Sequence, residues 1–165
     1  MPFANTNSVV ATDLNNMLRG LYRDNTDRAV TGTLTETDLA STSVTGGTIG
    51  STGALHVVAA GKITTATDTK RVRLYLGATA LVDTTAKAGV ADWWIDCWIF
   101  NTAANAQRVS ATWHDHADAT NFNYDQTTAA IDTASNATLK VTGTLANAAD
   151  TITQTMFDVF VVQVT

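Results

Sequence analysis

The string His114-Asp115-His116-Ala117-Asp118 holds the densest set of groups able to ligate a metal or move a proton. In an extended segment His114 and His116 share a face, a spacing that presents two imidazoles to Zn²⁺ or a similar cation. Two ligands do not close a site, and His56 or Asp118 can complete one only through the fold. The string also sits where a strand runs into a loop, so we read it as a solvated strand end without a metal. Asp96 and Asp115 are the second candidate, since glycoside hydrolysis needs two carboxylates about 5–10 Å apart. They become partners only if their strands pair, and the sequence fixes neither face nor register. There is no Gly-rich phosphate loop before a helix, no nucleophile elbow, no zinc-protease helix and no paired CxxC. The expectation is no catalytic residue, no cofactor and no metal. Cys97 is the only cysteine and lies in an apolar run, which marks it as a small core residue.

Recognition chemistry centres on Trp93-Trp94-Ile95-Asp96-Cys97-Trp98-Ile99-Phe100. In a strand Trp93, Ile95, Cys97 and Ile99 point one way, and Trp94, Trp98 and Phe100 the other. Antiparallel strands of a two-layer domain normally bury one face, so a strand apolar on both implies that a second surface covers the outer side. The run Met156-Phe157-Asp158-Val159-Phe160-Val161-Val162 has the same character. Trp94, Trp98, Phe157, Val159 and Val161 are therefore the expected oligomer interface. Exposed Trp94, Trp98 or Trp113 would instead suit stacking on a sugar ring. Asp158, flanked by apolar residues, requires a donor, with Arg108 or Lys140 as candidates.

These residues need elements to position them. Ser8 or Thr12 can cap a helix whose apolar positions Val10, Leu14, Met17, Leu18 and Leu21 fall three and four apart. Residues 1–30 then form an N-terminal arm and amphipathic helix, with Tyr22 to Asp27 as a connector. From Val30 onward, period-two runs alternate with Gly, Asn, Asp and Thr clusters, the pattern of a sandwich or barrel. Candidate strands are 33–44, 54–63, 69–76, 79–83, 92–101, 107–115, 119–125, 137–144 and 152–164. The fold class is all-β: an antiparallel jelly-roll-like β-sandwich over 31–165, preceded by the short N-terminal helix.

With 165 residues, one domain suffices. The net charge of −5 argues against nucleic acid, which needs a basic stripe. Arg71, Arg73 and Lys70 form the one close basic group and are read as a solvated strand face. No long apolar stretch encodes a membrane span, so synthesis in a cytoplasm is expected.

The string Leu18-Arg19-Gly20-Leu21-Tyr22-Arg23-Asp24-Asn25 precedes a Thr-rich β domain with phrases such as Thr33-Leu34-Thr35-Glu36-Thr37-Asp38-Leu39-Ala40 and Val72-Arg73-Leu74-Tyr75-Leu76-Gly77. With the apolar closing strand, this resembles the jelly-roll virion proteins of tailed bacteriophages, used as capsid decoration (cement) proteins and as fibre knobs. The resemblance implies a structural, non-enzymatic protein on the capsid surface of a virion, made in the bacterial host. It implies a homotrimer bound to the major capsid protein, with the 1–30 arm as anchor. The chain starts at Met1 and reads as a complete short protein, which favours decoration over a knob. The alternative is a head- or tail-fibre knob binding host glycan, with Trp113 and His114 as first suspects. A polysaccharide-cleaving enzyme using Asp96 or Asp115 is the third reading.

Overall fold

The computed structural model describes residues 19–64, 67–84, 86, 88–89, 91–115 and 122–162. Eleven strands are present among the described residues: β1 (Arg19–Asp24), β2 (Arg28–Thr31), β3 (Thr37–Val44), β4 (Ala54–Ile63), β5 (Lys70–Leu76), β6 (Thr79–Asp83), β7 (Asp92–Ala103), β8 (Ala106–Asp115), β9 (Phe122–Ala129), β10 (Ala137–Leu145) and β11 (Thr151–Val162). The larger sheet runs β1-β11-β4-β7-β8-β9, with β2 also on β11, and the smaller runs β3-β10-β5-β6. All pairings are antiparallel.

The topology is a rolled hairpin. β2 pairs with β11, β3 with β10, β4 with β7 and β5 with β6. These nested pairs are distributed over two sheets, which is the jelly-roll arrangement. At the hairpin's tip, Gly77 takes φ 59 in the tight turn between β5 and β6, a conformation open to glycine without steric cost. The β8–β9 hairpin extends the larger sheet beyond β7.

Alternation builds the core. Leu55, Val57, Ile95, Cys97, Ile99 and Val109 of the larger sheet bury against Val72, Leu74, Leu76, Leu139 and Val141 of the smaller. Burial pushes the Cys97 thiol up to about 12, with the neighbouring Asp96 charge adding to it, so the sulfur packs as an apolar atom.

Three expectations are corrected. Residues 19–24 and 28–31 are strands laid on β11, so Leu21 lies half-buried in a strand rather than on a helix, and the sandwich begins before residue 31. Val10, Leu14, Met17 and Leu18 lie outside the described residues. Phe157, Val159 and Val161 are 0%, 0% and 1% exposed and face the core, so they cannot form a subunit interface. The cause is a register shift between Gln154 and Met156 that resets the strand's parity. Lys70 leaves the basic group altogether: its side chain is buried and its Nζ lies 2.8 Å from Asp150.

Candidate functional site

The inward set of β7 commits Trp94, Asp96, Trp98 and Phe100 to the outer face of the larger sheet. Register then decides their neighbours. Phe160 of β11, His56 of β4, Trp98 of β7, Ser110 of β8 and Gln126 of β9 form one cross-strand row. The next row toward the β7 N-terminus is Asp158, Val58, Asp96, Thr112 and Tyr124, and beyond it Met156, Ala60, Trp94, His114 and Phe122. A row on the other side holds Phe100, Arg108 and Thr128.

The first row is an aromatic stack. His56 lies 4.2 Å from Trp98 with planes 10° apart, and 6.0 Å from Phe160. Trp98 is in turn 5.6 Å from Phe100 at 8°. His56 Nε2 meets Asp96 Oδ1 at 3.1 Å, which fixes the ring that stands between Phe160 and Trp98. At the far side, Phe122 and Tyr124 are 67% and 62% exposed, among the most open large apolar side chains described. Because stacked rings spend their faces on each other, this surface offers mainly ring edges to a partner.

The carboxylates of this face have partners, while Arg108 in the Phe100 row has none among the described residues. Asp158 accepts two hydrogen bonds from Arg23, at 2.9 and 3.0 Å, so its donor is Arg23 rather than Arg108 or Lys140. The fork geometry and the Asp158 charge raise the Arg23 pKa. Beyond Phe100 a groove of about 700 Å³ is lined by Phe100, Arg108, Ser110, Gln126 and Thr128.

The outer face of the smaller sheet is the opposite in kind. Asp83 holds both Arg71 and Arg73. Glu36, the chain's one glutamate, accepts from Arg73 at 2.8 Å, Tyr75 at 3.0 Å and Thr142 at 2.5 Å. Burial alone would raise the Glu36 pKa, but these three hydrogen bonds outweigh it and hold the carboxyl below its ordinary value. Lys140 pairs with Asp38 at 2.8 Å and sits 5.6 Å from the Tyr75 ring centroid. This is a self-satisfied, wettable surface.

The sequence-predicted groups separate accordingly. Trp94 and Trp98 share the outer face, half-buried. Trp113 packs from β8 against the core, and His114 is 8% exposed beneath Phe122, at 4.9 Å between ring centroids. Neither presents an open platform. His116 and Asp118 lie outside the described residues, and among those described no group of three or more His, Cys, Asp or Glu is placed to hold a metal ion. β7 and β8 do pair, but Asp96 sits opposite Thr112 while position 115 sits opposite Trp93, three pairs along the ladder. An odd offset gives the two backbone positions opposite parity on the ladder. Sequence reasoning missed Phe160 as the outward residue of β11, and Phe122 and Tyr124 of β9. Alternation of His56, Val58 and Ala60 against Leu55, Val57 and Ala59 signals the face of β4.

No family model matches the chain, and the comparison with curated proteins gives no match. Among solved structures the chain is similar to "lectin UEA-II complexed with galactose", at 10% identity and a TM-score of 0.41, covering 90% of this chain and 93% of that one.

Proposed function

We propose that the chain is a structural virion subunit, a capsid decoration protein that docks through the outer face of its larger sheet. One observation carries this reading: the two outer faces of a single sandwich differ completely. The smaller sheet satisfies its own charges, whereas the larger one leaves Trp94, Trp98, Phe100, Phe160, Phe122 and Tyr124 partly uncovered. Aromatic residues with few charges among them characterise interface cores. Trp98 and Phe160 pack against a neighbouring copy in a homotrimer, and residues 1–18, with Val10, Leu14, Met17 and Leu18 at helical spacing, reach the major capsid protein. Nothing in this mechanism requires catalysis. Each copy opposes shell expansion by bridging subunits, and repetition around a shell multiplies a modest contact.

The test is binding to empty capsid shells of the phage that encodes the chain. Wild-type protein co-sediments with shells, Trp98→Asp loses at least about tenfold in affinity, and removal of residues 1–18 abolishes binding with the fold intact. Equal binding by all three would remove the docking role.

A second reading, a knob binding host glycan, is favoured by one specific feature, the groove beside Phe100. Its suspects move from Trp113 and His114 to that groove.

A further inference from the structure

We infer that the groove at the end of the aromatic stack is a subsite for a single acidic sugar, a terminal sialate or hexuronate. This rests on the glycan reading above and shares Phe100 with the proposed docking face. Register places Arg108 directly between Phe100 on β7 and Thr128 on β9, with Ser110 and Gln126 opposite each other one row away. Directly opposite side chains start about 5 Å apart, and successive rows lie about 7 Å apart along the strands. Those spacings put a guanidinium, a ring, two hydroxyls and an amide within the reach of one sugar.

Each part has a distinct task. Phe100 ends the stack: it meets Trp98 on one side and is 42% exposed, so it keeps an open surface that the inner rings lack. A pyranose can lie on that surface. Arg23, Arg28, Arg71 and Arg73 each hold a carboxylate of this chain. Arg108, by contrast, is exposed and has no carboxylate partner among the described residues. Its planar fork suits a carboxylate supplied by a ligand. Gln126 and Thr128 offer the donor and acceptor pairs that ring hydroxyls need, and Ser110, whose Oγ donates to the Tyr124 hydroxyl at 3.5 Å, adds an acceptor. A peptide carboxylate would use the arginine and leave those three groups idle.

The charge balance narrows the ligand further. A net charge of −5 repels a polyanion at long range, while one guanidinium neutralises one carboxylate at contact. The groove therefore fits one terminal acidic residue on an otherwise neutral glycan better than a polyuronate. The volume of about 700 Å³ falls within the usual range for small-ligand sites, about 300–1,000 Å³.

The experiment is calorimetric titration of the full chain with sialyllactose, a glucuronate-containing disaccharide, lactose and acetyl-aspartyl amide, repeated on Arg108→Gln and Phe100→Ala. At least one acidic sugar binds about tenfold or more tighter than lactose. Arg108→Gln removes that preference with an unchanged circular dichroism spectrum and an unchanged sedimentation coefficient, while Phe100→Ala weakens every sugar. Acidic sugars binding no better than lactose, or equally well to Arg108→Gln, overturn the inference. Acetyl-aspartyl amide binding as tightly as the best acidic sugar also overturns it, in favour of a peptide carboxylate. Because Trp98→Asp and Arg108→Gln report on different partners, the docking role and this subsite fail separately.

Discussion

Trp93 and Trp94 are adjacent in the chain, and the fold uses them for opposite purposes. Trp93 is 2% exposed and its indole lies over Gly61, where an added Cβ would come within 2.7 Å of the indole and 1.9 Å of the Thr153 carbonyl oxygen. Gly61→Ala therefore costs about 2–3 kcal/mol, read as a lower denaturant midpoint at unchanged slope. Trp94 stands half-buried on the outer face instead. The same contrast holds on β11, where Phe157 is buried and Phe160 stacks against His56 outside. Phe157→Ala is expected to cost about 3–5 kcal/mol and Phe160→Ala about 1 kcal/mol, a difference that chemical denaturation measures directly. Alternation made the two faces of 93–100 legible from sequence. It failed on 156–162 because one register shift after Gln154 inverts parity, and no residue type there signals it. The partner of Asp158 was hidden for a related reason: Arg23 reaches it only because β1 lies on β11.

At the level of elements, the strands from β3 to β11 follow period-two patterning closely enough to be read within a few residues. β1 does not, because Leu14, Leu18 and Leu21 are three and four apart and Tyr22 to Asp27 resembles a connector. Local spacing favours a helix there, but β11 supplies the backbone partners that make residues 19–24 extended. Truncation separates the two: a chain lacking residues 1–18 retains a cooperative thermal transition, and one lacking residues 1–31 loses it by exposing the edge of β11. One carboxyl on each sheet carries an acid dependence. Glu36 and Asp24 both have carboxyl pKa values lowered in the fold, Glu36 by Thr142, Tyr75 and Arg73 against burial, Asp24 by the Thr26 amide and Arg28. A lowered folded pKa adds stability that is complete above the unfolded value, about 4, and disappears as pH falls through the folded value. Unfolding free energy should thus be flat from pH 7 to 5 and fall below about pH 4, and Glu36→Gln should flatten part of that fall.

For the whole molecule, the jelly roll sets one charged face and one aromatic face about a single core. The class of fold was legible because strand spacing and turn chemistry repeat along the chain. The aromatic face was only half legible: Trp94 and Trp98 announce it, but Phe160, His56, Phe122 and Tyr124 join them through register, which sequence does not encode locally. Sedimentation equilibrium of purified wild-type chain beside Trp98→Asp gives the most direct test of a docking role for that face. Wild type should sediment as a trimer and Trp98→Asp as a monomer with the same β-rich circular dichroism spectrum. A wild-type monomer that neither associates nor changes on this substitution would contradict it.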